Sequence, residues 1–344
     1  MSLRFIYRTI CFTFNRKRRD INGNLIRRLL TDNALCANVR EIEVLWAPNA
    51  KLPPGEGSKA DLELLGQALP GMSGLNAFIW DAQYAILSWL LDILRSHLPK
   101  CKLYTFHPPS QDAALTLPRL RGFPCLFSLD VTLRDGQFAA CREVEKLLDS
   151  SQLRDLTMDT SSSFDFPIGT QPMVAPLQLR SLELYSCLYH PWRPEISWSM
   201  LERLSMDSIS WLPEVASQLT NLKSLHLNVE INDDRHFLTS FLRSCKRLEV
   251  LDLTGYAKHV QIGEESLWRH LGKTLVKLRF HENQRFMADH QWPNTTNEEI
   301  VMIASACPNL RSLGLNIEGN GVPARFSVYP VLGYEANIPY SLRR

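Results

Sequence analysis

Asn221-Leu222-Lys223-Ser224-Leu225-His226-Leu227-Asn228 reads as a turn followed by one short strand. Side chains along a strand alternate between its faces, so Leu225 and Leu227 share one face while Ser224, His226 and Asn228 share the other. Leu222 reaches the same apolar side from the turn. The spacing is an apolar residue, two others, an apolar residue, one other, an apolar residue. It recurs from Val39, Leu75, Leu126, Leu153, Leu179, Leu201, Leu248, Leu275 and Leu310, giving ten copies along 344 residues. Cys101, Tyr104 and Phe106 supply a weaker eleventh.

From Leu126 onward the copies start 27, 26, 22, 21, 26, 27 and 35 residues apart. Most of these intervals fall in the roughly 20–29-residue period of leucine-rich repeats. One copy cannot bury its apolar edge alone, but a stack can. Each interior leucine then contributes on the order of 1.5–3 kcal/mol of transfer free energy. The sequence predicts an α/β fold, a leucine-rich-repeat solenoid (horseshoe) with a parallel concave sheet and outer helices. Residues 1–38 read as a basic segment with a capping helix, 39–320 as the array, and 321–344 as an irregular tail.

Apolar residues at helical spacing predict a helix over 22–37 and a strongly amphipathic one over 83–98. Further return helices are expected near 137–149, 234–244, 263–271 and 297–306. Around 185–221 the shorter period leaves room only for a short helix or an extended arm. Pro53-Pro54-Gly55-Glu56-Gly57-Ser58 reads as a loop. Two polar insertions, 160–176 and 282–296, are long for connections within such an array.

Composition is ordinary for a globular protein, with 45% hydrophobic and 22% charged residues. Charge is unevenly placed, because residues 1–28 carry eight Arg or Lys against Asp20 alone. Of the eight cysteines none forms a Cys-x-x-Cys pair, and those preceding a repeat, such as Cys245 and Cys307, read as small packed hydrophobes. Such usage suits a reducing compartment, cytoplasmic or nuclear. The N-terminal apolar stretch is broken by Arg4 and Arg8, and no segment approaches the 18 or so apolar residues of a membrane span.

The chain contains no phosphate-cradling Gly-x-x-x-x-Gly-Lys, no Gly-x-Ser-x-Gly elbow and no His-Glu-x-x-His. His281 and His290 only flank a polar insertion, and the acidic residues spread over many strands. The expectation is a protein that is not an enzyme, with no cofactor and no metal.

Several segments together resemble a family. Phe5-Ile-Tyr-Arg-Thr-Ile10 is similar to the segment that follows the F-box in fungal F-box/leucine-rich-repeat proteins. Leu29-Leu-Thr-Asp-Asn33 with Val39-Arg-Glu-Ile-Glu-Val44 resembles their first helix-and-strand unit. Gly74-Leu-Asn-Ala-Phe-Ile-Trp-Asp81 and Pro308-Asn-Leu-Arg-Ser-Leu313 continue the likeness over roughly residues 4–315. The resemblance implies the substrate-recognition part of an SCF-type ubiquitin ligase. It also implies a Skp-type adaptor as partner, provided an F-box is restored upstream. The alternative is a leucine-rich-repeat scaffold or adaptor unconnected to ubiquitin.

Strand positions between the interior leucines point to the expected concave face. In the first six copies they carry Glu41, Glu43, Asp81, Asp130, Asp155, Asp159, Glu183 and Asp207, against Arg203 alone. In the last four they carry His226, Asp252, Lys277, Arg279 and His281. Tyr185 and Ile79 are the large candidate anchors. The expected partner is a protein, with a basic extended segment lying along the acidic end. Arg16-Lys17-Arg18-Arg19 reads as an import signal or a solvated turn; without a stacking aromatic platform, nucleic acid is not the expected ligand. Truncating Leu225 or Leu251 is expected to be costly, and truncating Ser224 or Asp252 cheap.

Overall fold

The computed structural model describes residues 8–14, 19–46, 56–81, 86–107, 113–133, 138–150, 152–160, 176–185, 196–209, 212–229, 235–255, 264–281 and 297–314. The chain is α/β, with parallel strands that follow one another in sequence order. It forms two compact units, Met1–Asp207 and Ser208–Arg344. Most of both insertions, the tail from 321 and Arg16-Lys17-Arg18 lie outside the described residues.

In the first unit the strands are β1 (Thr9–Phe14), β2 (Glu41–Trp46), β3 (Ala77–Asp81), β4 (Lys102–His107), β5 (Leu126–Leu133), β6 (Asp155–Thr160), β7 (Ser181–Tyr185) and β8 (Arg203–Met206). Each pairs in parallel with its neighbours. Two ladders of buried side chains run across them. One passes through Phe12, Val44, Trp80, Thr105, Leu129, Leu156, Leu182 and Leu204. The other carries Val131, Met158, Leu184 and Met206 through β5–β8. Parallel strands need a crossover, and here helices supply most of them. These are α1 (Arg19–Thr31), α2 (Asn33–Asn38), α3 (Glu56–Ala68), α4 (Ser88–His97), α5 (Ala113–Leu120) and α6 (Phe138–Ser150).

The second unit repeats the plan with α7 (Leu212–Val215), β9 (Ser224–Val229), α8 (Arg235–Ser244), β10 (Val250–Gly255), α9 (Glu265–Leu271), β11 (Lys277–His281), α10 (Asn297–Ala306) and β12 (Ser312–Gly314). Leu225, Leu251, Leu278 and Leu313 align across its strands, beside Leu227, Leu253 and Phe280. Trp268 of α9 meets the edge of Phe280, with ring centroids 5.7 Å apart, so helix and strand share one interior.

Stacking is also written into the backbone. One carbonyl of a coil accepts two successive amides of the next: Arg40 from Asn76 and Ala77, Arg154 from Arg180 and Ser181, Arg180 from Glu202 and Arg203. The second unit repeats this at Lys223, Glu249 and Val276. Each coil thus satisfies polar groups that a lone strand would leave to water.

Four details depart from the sequence reading. The helix expected over 22–37 is two helices, because Asp32 turns extended and its carboxylate accepts the Leu35 amide at 2.9 Å, starting α2. The basic N-terminal segment contains β1, a full strand with Ile10 and Phe12 buried. Helices α3 and α5 were not expected at all. The weak copy at Cys101 has the other phase: Leu103 and Thr105 are buried, and Tyr104 stands half-exposed. A register shift between Leu103 and Tyr104 against β5 absorbs the difference, and a one-residue slip exchanges the faces of every side chain.

The cysteines at helix ends do what small hydrophobes do. Cys245 and Cys307 are buried, donating weakly to the carbonyls of Phe241 at 3.5 Å and Trp268 at 3.6 Å. Burial pushes the Cys245 thiol up to about 12 and that of Cys307 to about 11, so neither is a thiolate at neutral pH.

Candidate functional site

Alternation leaves one side of the first unit's sheet without the buried leucines, with Leu45 paired beside Asp81 as its one leucine among the described strands' outward positions. Three rows of outward positions cross it. The first runs Glu43, Ile79, Tyr104, Ser128, Asp155, Ser181 and Arg203 through β2–β8. The second holds Asp130, Thr157, Glu183 and Ser205 on β5–β8, with Asp81 one residue beyond the Trp80–Thr105 pair that joins β3 to β4. The third holds Thr132, Asp159 and Tyr185.

Asp130 is the centre of this surface. Burial, and then the negative charges of Glu183, Asp159 and Asp81, push its carboxyl up to about 7. The folded chain therefore holds this proton at pH values where an unfolded aspartate has lost it. Ionising Asp130 above that point works against the fold. A cation placed here would offset the like charges and favour the ionised carboxylate. Burial also raises Asp81, and Glu43 is raised by burial and by Asp81 and Glu41 against a hydrogen bond from Cys11.

The tyrosine is held in place. Tyr185 donates its hydroxyl hydrogen to Glu183 Oε2 at 2.9 Å, and Ser205 donates to the Tyr185 oxygen at 3.3 Å. Burial, followed by the Glu183 charge, keeps the phenol protonated well above its usual range, with Asp207 adding to the effect. Tyr185 and Ile79 are half-exposed rather than free-standing.

Asp155 differs from its acidic neighbours. Arg203 Nη2 donates to Asp155 Oδ1 at 3.3 Å. Burial still raises the Asp155 carboxyl, while Arg203, Arg180 and Lys102 pull it down. Lys102 and Arg180 were missing from the sequence reading of this face. Beside them Tyr104 and Phe127 meet with ring centroids 5.3 Å apart, and the Lys102 ammonium sits 4.5 Å over the Phe127 ring. The structure thus brings Asp81, Asp130, Asp159, Glu183 and Tyr185 together, places Glu43 next to Asp81, and compensates Asp155.

The remaining candidates belong to the second unit. His226, Asp252 and Arg279 align on β9, β10 and β11. Asp252 is only 8% exposed, with Oδ2 3.5 Å from His226 Nδ1 and 3.8 Å from Arg279 Nη1. Truncating it would leave Arg279 without this carboxylate, so the expectation of a cheap Asp252→Ala is corrected. Burial, and then Arg279, lowers the Lys277 ammonium, and Asp252 opposes them. Among the described residues no group of three or more His, Cys, Asp or Glu could hold a metal ion. No described helix is long and apolar enough to cross a membrane.

No family model matches this chain, and no curated protein matches it.

Proposed function

We propose that the chain is a non-enzymatic, leucine-rich-repeat interaction module whose horseshoe presents the outward face of the first unit to a basic protein segment. One observation carries this reading: carboxylates from β3, β5, β6 and β7 gather on a sheet whose other side is closed with leucines. A buried acid among like charges, as Asp130 is, is costly to keep ionised, and an opposite charge from outside offsets that cost. The Tyr185 hydroxyl is engaged within the face, donating to Glu183 and accepting from Ser205.

The finer reading is that this module is the substrate-recognition portion of an SCF-type ubiquitin ligase. Its support is the resemblance to fungal F-box/leucine-rich-repeat proteins. Coprecipitation with a purified Skp-type adaptor separates the alternatives. A stable complex, formed once the chain carries its own upstream segment with the F-box restored, is the result expected for the ligase component. No complex, alongside retained binding of a basic protein segment, favours a scaffold unconnected to ubiquitin.

A further inference from the structure

We propose that the outward face of the first unit receives a segment in the polyproline II conformation whose cationic side chains recur at every third residue. The inference rests on the reading of that face as a protein-binding surface and names the chemistry of its partner.

The spacing of the carboxylates is the first argument. Asp81, one residue beyond the Trp80–Thr105 pair, stands in one row with Asp130 and Glu183 on β3, β5 and β7, with Phe106 of β4 between the first two and Thr157 of β6 between the last two. Neighbouring strands lie about 4.8 Å apart, so carboxylate-bearing positions recur at about 9.6 Å across the sheet. An extended β-chain presents the same face every two residues, roughly 6.6 Å, and would miss the second carboxylate by about 3 Å. A polyproline II helix presents the same face every three residues, about 9.3 Å, and stays in step across all three. Asp159, one row away, adds charge at the middle position without changing the period.

The aromatic pair is the second argument, independent of charge. Tyr104 and Phe127 are half-exposed on the same sheet, adjoining the carboxylate row. Polyproline II segments dock against aromatic side chains because the preformed helix loses little entropy on binding and its rings lie flat on theirs. The Lys102 ammonium over Phe127 shows that this ring accepts a cation. Acid spacing selects the charged positions of such a partner, and the aromatics contact what lies between them.

The test uses the full chain and two end-blocked peptides of one composition, Arg-Pro-Pro-Arg-Pro-Pro-Arg and Arg-Arg-Arg-Pro-Pro-Pro-Pro. Binding is followed by fluorescence anisotropy at about 50 mM salt, where surface charge is only partly screened. The spaced peptide is expected to bind at least roughly tenfold more tightly. Asp130→Asn, with an unchanged circular dichroism spectrum, is expected to abolish that preference. Equal affinity for the two peptides overturns the periodicity while leaving an acidic protein-binding face intact. A preference that survives Asp130→Asn places the peptide elsewhere and overturns the inference. Binding of neither peptide overturns the inference together with the basic-partner reading beneath it.

Discussion

Replacing Asp130, Asp159 and Glu183 together by lysine abolishes capture of a basic partner segment, at low salt as well as at physiological ionic strength. The register puts Asp130 and Glu183 in one row and Asp159 in the next, and the charges of Glu183 and Asp159 both reach Asp130. Reversal exchanges three attractions for three repulsions, and like charges juxtaposed across an interface cost on the order of several kcal/mol. Reversing Glu63, Asp92 and Glu298, exposed on α3, α4 and α10, changes the net charge by the same amount and leaves capture intact. Capture by the triple variant at low salt would move the partner to another surface. The pH profile provides a second readout. Asp130 loses its proton near pH 7, so affinity rises between pH 6 and 8, and binding in that window releases protons. A flat profile would mean that the partner does not meet Asp130.

Leu251→Ala destabilises its unit by roughly 2–5 kcal/mol, read from urea denaturation, while Ser224→Ala stays within about 0.5 kcal/mol. Leu251 is fully enclosed between Leu225 and Leu278 on the flanking strands. Removing it opens a cavity that two neighbouring coils border, and neither can collapse without shifting its own ladder. Ser224 occupies the opposite face of β9, half-exposed, and its truncation removes no packed atoms. Equal costs at the two positions would contradict the assignment of inner and outer faces.

How much of this was legible depended on whether both phases of a strand differ in polarity. In β9 and β10 the leucines alternate with Ser224, His226, Asp252 and Thr254, so the face is unambiguous. In β4 both phases offer apolar side chains, and Thr105 fills an interior position that an apolar template rejects. The template therefore settled on Tyr104 and Phe106, and only the shortened coil and its register shift against β5 decide otherwise. β1 does carry a sequence signal: Tyr7, Ile10 and Phe12 have the repeat spacing, obscured by the surrounding arginines. Pro118, inside the last turn of α5, has the same masking effect on that helix.

The acidic lane itself was readable, because outward positions follow once the leucines are placed. Its compensation was not. Lys102 and Arg180 reach Asp155 from other coils, and Asp252 is enclosed by residues 26 and 27 positions away in the chain. Such neighbours are a property of register, which spacing within one coil does not contain.

Disulfide cross-linking across β6 and β7 tests that register, on which the lane depends. Thr157 and Glu183 face each other on adjacent parallel strands, at a separation of about 4.8 Å that a disulfide spans. Thr157→Cys with Glu183→Cys is expected to close readily under mild oxidation, whereas Thr157→Cys with Tyr185→Cys, offset by one outward row, is expected to stay reduced. Closure of the second pair in place of the first would mean that Asp130 and Glu183 do not share a row.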